Sequence, residues 1–240
     1  MDGRPTGPRS RNDPAGPRFE PVSKPGGGLR WITRLDPAGD AEYRETVRPL
    51  AGRIERALGP EVLAIRTRPS HGGWRLESWG PARAAWRATL RSALREAARG
   101  TAFAVADVHD CYGSISPETI ASLLGPEAAH AVEFLRRLQD HHGVHGLPIG
   151  PDPSAVLANA VFSEMDRTIR RTGARHLRWV DDVFVWGSCD DVRHALRALH
   201  DVAARMDLSL HRGKTRVLAD RHEARAVALD TRDSSIIAAP

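Results

Sequence analysis

Asp181 and Asp182 stand side by side between Arg178-Trp179-Val180 and Val183-Phe184-Val185-Trp186-Gly187, two short apolar, β-branched and aromatic runs. That is the pattern of a hairpin whose turn carries two carboxylates. Adjacent Asp side chains repel each other and lose solvation between strands, and a divalent cation beside them relieves both costs. A solvated β-turn contains the same dipeptide, so the pair alone decides nothing. A third carboxylate separates the two readings, and Asp107 supplies it. It follows Thr101-Ala102-Phe103-Ala104-Val105-Ala106, which reads as a strand buried on both faces. With the hairpin paired beside that strand, Asp107, Asp181 and Asp182 converge on one edge of an antiparallel sheet. Three carboxylates so placed can hold two Mg²⁺ ions, with Mn²⁺ as an alternative, and two-metal sites serve phosphoryl transfer.

Lysine usage adds to this. Among 35 basic residues only Lys24 and Lys214 are lysine. A compositional drift towards arginine leaves a few lysines by chance, but an amine can deliver a proton where a guanidinium cannot. The chain has 240 residues, 41% of them apolar and 27% charged, enough for one substantial core with a small lobe attached. A formal charge of +5 and a pI near 10 suit a polyanionic partner. Cys111 and Cys189 have neither metal-ligand spacing nor a disulfide framework, as expected of reduced thiols in a cytoplasm. No basic start leads into an apolar leader and no run approaches 18 apolar residues, so neither secretion nor a membrane is expected.

The elements that must position these residues follow from periodicity. Residues 1 to 28 are rich in Pro, Gly, Arg and Asp and read as a flexible arm. An extended segment follows over Leu29–Leu35. Tyr43, Val47, Leu50, Ile54 and Leu58 give a helix over Asp40–Leu58 with Asp40 as its cap. Ala85, Trp86, Leu90 and Leu94 give a second over Pro81–Ala98, stopped by Gly100. Further helices pass through Ile120, Leu123 and Leu124, and through Ala131, Phe134, Leu135 and Leu138. After Pro153, residues Val156, Leu157, Ala160, Val161, Met165 and Ile169 mark one apolar side of another. Asp190 or Asp191 caps the helix after the hairpin, and Thr215–Ala219 reads as a last strand. Asp110 reads as a helix-start cap. His141, His142 and His145 lack the further ligands of a zinc site and read as a polar loop. Trp31, Trp74, Trp79 and Trp86 could stack on bases or pack inside.

Four segments in order resemble the palm of reverse transcriptases. Val105-Ala106-Asp107-Val108-His109-Asp110-Cys111-Tyr112 resembles the first catalytic motif, an Asp followed five positions later by an aromatic. Gly146-Leu147-Pro148-Ile149-Gly150, with Ser154 and Ala158-Asn159 downstream, resembles the Leu-Pro-Gln-Gly loop. Trp179-Val180-Asp181-Asp182 resembles the Tyr-x-Asp-Asp turn, and Leu208 to Thr215 the motif whose lysine precedes a threonine. Upstream, Lys24 to Arg30 resembles the basic fingers segment. The resemblance implies an α+β right-hand palm, an antiparallel sheet backed by helices, with fingers over 29–100, palm over 101–220 and a tail over 221–240. A thumb is not evident after the palm motifs, which implies a partner subunit or second copy in its place, a fragment, or synthesis that needs no processivity.

The resemblance also implies roles. Asp107, Asp181 and Asp182, with the Val108 carbonyl, would hold the metals, and Lys214 would protonate the departing pyrophosphate. Lys24 and Arg30 would meet the triphosphate. Tyr112 would lie under the sugar and favour deoxynucleotides. Ile149, Gly150, Ser154 and Asn159 would shape the nucleotide and template pocket. Ile149 stands where most of the family has Gln, as in lineages from diversity-generating retroelements and antiphage defence, and implies altered fidelity. The implied function is RNA-directed DNA synthesis, using dNTPs, an RNA template and a DNA or RNA primer. Alternatives are a weakly catalytic nucleic-acid-binding or defence subunit, and a palm polymerase that is untemplated or uses ribonucleotides.

Overall fold

The computed structural model describes residues 16–24 and 28–229 of the chain. It opens on a hairpin, β1 (Arg18–Ser23) against β2 (Leu29–Arg34), in register from Arg18 with Arg34 to Ser23 with Leu29. The expected arm over residues 1–28 is thus partly a strand. Phe19 gives β1 an apolar anchor against the core, which the Pro- and Gly-rich composition around it conceals. Residues 1–15 and 25–27 of that arm lie outside the described residues.

Helix α1 (Pro37–Ala57) buries Tyr43, Val47, Leu50 and Ile54, as its spacing requires. Its cap is Asp36 rather than Asp40: Asp36 Oδ1 accepts from Gly39 N at 2.7 Å, and Pro37 suits the first helical position. Asp40 sits in the first turn and pairs with Arg44 at 3.1 Å. A short hairpin, β3 (Thr67–Ser70) with β4 (Gly73–Leu76), precedes α2 (Trp79–Glu96).

After β5 (Ala102–Ala106) come α3 (Cys111–Ser114), α4 (Pro117–Leu124), a 3-10 turn (Gly125–Ala128), α5 (Ala129–His142) and α6 (Asp152–Arg170). His141 and His142 belong to the last turn of α5, so the polar loop begins only at Gly143. Helix α6 is apolar on more than the expected side: from Pro153 to Val161 every residue is buried. It is wedged between α1, α4, α7 and β6, which leaves it no wet face. The hairpin β6 (Arg175–Trp179) and β7 (Asp182–Gly187) leads to α7 (Cys189–Arg205), then β8 (Arg216–Leu218) and α8 (Arg221–Leu229). The cap of α7 is Ser188, with Asp191 completing a capping box, so neither Asp190 nor Asp191 occupies the cap position itself. Residues 221–229 of the expected tail form a helix packed on α2 with Ala224 fully buried.

The main sheet is antiparallel in the order β6-β7-β5-β8. Side chains alternate across it. Ala104, Ala106, Arg178, Val183 and Val185 share one face, which α6 and α7 cover. Phe103, Val105, Leu177, Trp179, Phe184 and Trp186 share the other. That face is covered too. Trp79 and Trp86 of α2 pack on Trp179 at 5.4 and 5.9 Å, and α8 packs on β5 and β8. Its aromatic side chains are too large and apolar to leave in water. Among the described residues no helix is long and apolar enough to cross a membrane.

Candidate active site

Trp179 pairs with Asp182, leaving Val180-Asp181 as a two-residue turn. Val180 has φ of +57°, a left-handed conformation that a β-branched residue resists at a cost of about 1–3 kcal/mol. Arg178 compensates. Its guanidinium is fully buried, and Nη1 donates to the Val180 carbonyl at 2.8 Å and to Asn159 Oδ1 at 2.9 Å. Nη2 and Nε donate to Asp166 at 2.9 and 3.0 Å, and the cation lies 5.3 Å from the centre of the Phe162 ring. Burial pushes the Asp166 carboxyl up, but Arg178 and a hydrogen bond with His176 outweigh it and hold it below the usual range. No sequence signal marks this network, since an arginine between Leu177 and Trp179 can face either side of the strand.

Asp107 lies just beyond β5 and is buried. Its N–H donates to Thr215 Oγ1 at 3.3 Å and its carbonyl accepts from His211 N at 2.7 Å. An isolated bridge pairs Val108 with Leu210. Such a bridge uses the groups of the flanking residues and leaves the Val108 carbonyl outside it. Asp107 Oδ2 receives no hydrogen bond of good geometry, yet Lys214 Nζ stands 2.6 Å from it. The His211 carbonyl accepts from the N–H groups of Lys214 and Thr215, which folds this segment into a turn behind Asp107. Burial works against the Lys214 ammonium, but Asp107, then Asp182 and Asp181, hold its pKa above the usual value.

Electrostatics tie the other two carboxylates to the same place. Burial and the neighbouring Asp107 raise Asp181 to about 6, with Lys214 and Arg30 acting in the opposite sense. Burial, then Asp181 and Asp107, raise Asp182 to about 8, against Lys214. Both side chains keep part of their surface in water. The three carboxylates do not draw together to the point where one ligand atom from each lies within 4.8 Å of the others; among the described residues Glu61, Asp166 and His176 do, and that set could hold a metal ion. Arg178 already occupies both oxygens of Asp166, however, and Glu61 pairs with Arg170, so that cluster has internal cations. Asp107 also has a cation, Lys214, but Asp181 and Asp182 have no ion pair among the described residues and resist ionisation, and such an open pair fits a divalent cation better.

The remaining expected residues fall into two groups. Tyr112 is buried beside Cys111 and Asp181, with no hydrogen-bond partner for its hydroxyl. Arg30 on β2 acts on both Asp181 and Tyr112. Gly150, with φ of +126°, presses on β2, where an added Cβ would come 2.8 Å from the Thr33 carbonyl, and the Ile149 carbonyl accepts from Thr33 N at 2.6 Å. The loop is held from its other end by Gly146, whose added Cβ would lie 2.4 Å from the Tyr112 carbonyl. Ser154 and Asn159 do not face a ligand. Ser154 shares a 3.1 Å hydrogen bond with Tyr43, and Asn159 Nδ2 donates to the Ile65 carbonyl at 2.8 Å, so both brace the pocket from behind. Lys24 is exposed just past the end of β1. Asp110 occupies the position before α3, but its side chain makes no capping hydrogen bond because its backbone is left-handed, with φ of +43°. Trp74 lies under Arg44 at 5.2 Å, and Trp79 and Trp86 pack on Trp179.

No family model matches the sequence, and no curated protein is significantly similar to it. Solved structures are similar. An apo telomerase from Candida tropicalis, truncated from its C-terminal domain, superposes with a TM-score of 0.50 at 12% identity over 85% of this chain and 50% of its own. Telomerase from the same organism in complex with a fragment of telomeric RNA gives 0.55 at 11%, over 85% and 41%. The chain therefore spans about half or less of the length of these proteins. At such identities the likeness is one of fold, and the sheet, the carboxylate turn and their backing helices form a reverse-transcriptase-like palm.

Proposed function

We propose that the chain is an RNA-directed DNA polymerase that joins dNTPs to a primer 3′-hydroxyl. The observation that carries this is Lys214 Nζ at 2.6 Å from a buried, otherwise unbonded oxygen of Asp107, beside the Asp181-Asp182 turn. A cation-seeking set of acids next to an amine is what nucleotidyl transfer requires: charge to bind a triphosphate and a proton for its leaving group. Asp107, Asp181, Asp182 and the Val108 carbonyl would hold Mg²⁺, which would supply Lewis acidity towards the 3′-hydroxyl and the phosphates.

The protein's own groups do the rest. The 3′-hydroxyl gives its proton to solvent, its oxygen bonds to the α-phosphorus, the bond from that phosphorus to the bridging oxygen breaks, and pyrophosphate leaves with a proton from Lys214, which solvent restores. Arg30, with Lys24 on the same hairpin, meets the negative charge of the incoming triphosphate. The ring of Tyr112 forms a floor that a 2′-hydroxyl would strike. Ile149 and Gly150, pinned to β2, border the templating pair, and Ser154 and Asn159 position them. The charge of +5 and the RNA fragment held by one of the neighbouring telomerases support a nucleic-acid template.

Primer extension on an RNA template with Mg²⁺ tests the proposal. The wild-type chain is expected to extend and the double variant Asp181→Ala, Asp182→Ala to fall at least a hundredfold. Equal extension by both would overturn it.

A further inference from the structure

The outer side of α2 carries a charge pattern that the site does not use. Between Trp79 and Gly100 there are five arginines, Arg83, Arg87, Arg91, Arg95 and Arg99, each four residues from the last, and one acid, Glu96. Residues four apart form a continuous ridge on a helix, here Arg83, Arg87, Arg91 and Arg95 with a step of about 6 Å, and Arg99 follows three residues past the end of α2. Arg87, Arg91, Arg95 and Arg99 are exposed, and among the described residues none has a carboxylate within ion-pair distance. Glu96 is taken by Ser92 Oγ at 2.6 Å. Several exposed arginines elsewhere are paired, as Arg34 is with Glu20, Arg53 with Glu127 and Arg136 with Glu118, and others, such as Arg56 and Arg75, stand singly rather than in a row. Helix α7 shows an ordinary solvated basic face, with Arg193 and Arg197 interspersed with Asp190 and Asp201. Like charges four residues apart cost roughly 0.2–0.5 kcal/mol per pair, so the α2 ridge is a standing cost that a polyanion would remove.

Its position relates it to the carboxylate turn. Helix α2 starts on Trp179, the residue paired with Asp182, through Trp79 and Trp86. It covers the sheet face that holds Phe103 and Val105, and Asp107 continues that alternation. Arg87 follows directly on Trp86, whose ring packs on Trp179, and from there α2 runs to α8, which packs alongside it with Arg225 exposed. We infer that Arg87, Arg91, Arg95 and Arg99 form a docking track for the phosphate backbone of the nucleic acid that passes through the carboxylate site. The choice of nucleic acid over another polyanion rests on the proposed polymerase function.

Equilibrium binding of the full chain to a fluorescent RNA–DNA hybrid and to a single-stranded RNA, across a salt series, tests this. Each neutralised phosphate contributes about 0.7–0.9 to the slope of log K against log salt. The variant Arg87→Gln, Arg91→Gln, Arg95→Gln is expected to lose about 2–3 from that slope and to bind at least tenfold more weakly at moderate salt. The charge-matched variant Arg193→Gln, Arg197→Gln, Arg205→Gln is expected to keep the slope. The hybrid and single-strand arms tell which form rides the ridge. Thermal melting checks that both triples remain folded. Equal loss by the two triples, no loss by the first, or equally effective displacement by polyglutamate would each overturn the inference. Primer extension is read separately. Extension with an unaltered slope rejects the track and keeps the polymerase, and ridge-dependent binding without extension does the reverse.

Discussion

Arg178 and Asp166 form a two-point ion pair with essentially no exposure on either side, and the remaining guanidinium nitrogen ends on the carbonyl of Val180 inside the carboxylate turn. Breaking such a pair strands a buried charge, at about 3–5 kcal/mol. Asp166→Asn and Arg178→Met are each expected to lower chemical-denaturation stability by that amount. Arg178→Lys should be nearly as damaging, since a single ammonium cannot serve Asp166, Asn159 and Val180 together. A loss below about 1 kcal/mol in urea titrations would show that the turn holds itself.

Stability should also respond to pH in an unusual direction. Asp181 and Asp182 have folded values near 6 and 8 against an ordinary 3.8, so between those limits the folded chain binds more protons than the unfolded one. Stability conferred by the protonated carboxyls is thus present at low pH and lost as pH rises from about 4 through 8. Asp166 works oppositely, its stabilisation being lost only as pH falls below the ordinary carboxylate range. Without divalent metal the melting temperature is expected to fall between pH 5 and 8 by on the order of 2–4 °C, and Mg²⁺ at pH 8 should restore it. Asp182→Asn should flatten the profile.

Tyr112 separates two contributions of one side chain. Its hydroxyl is buried without a partner, so Tyr112→Phe removes an unsatisfied group and should leave stability unchanged or slightly higher. Tyr112→Ala should admit NTPs, measured as a rise of at least tenfold in NTP over dNTP incorporation. Unchanged selectivity would remove the ring from the sugar floor.

Lys214 is 63% exposed on its side chain and contributes little to stability, so its variants report on chemistry. Lys214→Arg keeps the charge next to Asp107 but supplies no readily transferred proton. Extension is expected to fall roughly 10²-fold or more, with its alkaline limb shifted, and Lys214→Ala to fall at least as far. Equal rates for wild type and Lys214→Arg would reduce the amine to a charge.

The loop between α5 and α6 should be intolerant at two glycines. At Gly146, φ of +66° and the Tyr112 and Gly113 carbonyls at 2.4 and 2.5 Å leave no room for a methyl group. Gly146→Ala and Gly150→Ala are each expected to cost about 1–3 kcal/mol by forcing backbone shifts, read as lowered melting temperatures.

Much of this arrangement is written in local pattern. The period of Tyr43, Val47, Leu50 and Ile54 places α1, and the two apolar runs flanking Asp181-Asp182 place the hairpin, because both depend only on neighbouring residues. Caps were less legible, since Asp36 and Asp40 have equal chemistry and only the Pro37 turn selects the first. The Arg178 network was not legible at all. It joins residues from α6, β6 and the segment after α1, and nothing in sequence spacing shows that an arginine amid Leu177 and Trp179 points inward. The covering of the second sheet face by α2 was hidden for the same reason, as Trp79 and Trp86 meet Trp179 only after the chain has folded back.

The strand order has a further consequence during synthesis. Strand β5 takes its second neighbour from β8, so Phe103 pairs with Leu218 only after nearly all of the palm has been made. Until then one edge of an Ala-Phe-Ala-Val-Ala strand stands open on the ribosome-bound chain, a ready template for pairing with another copy. Assembly of this palm should therefore be slow, dominated by a late long-range closure, and most exposed to aggregation in the interval before residues 216–218 emerge.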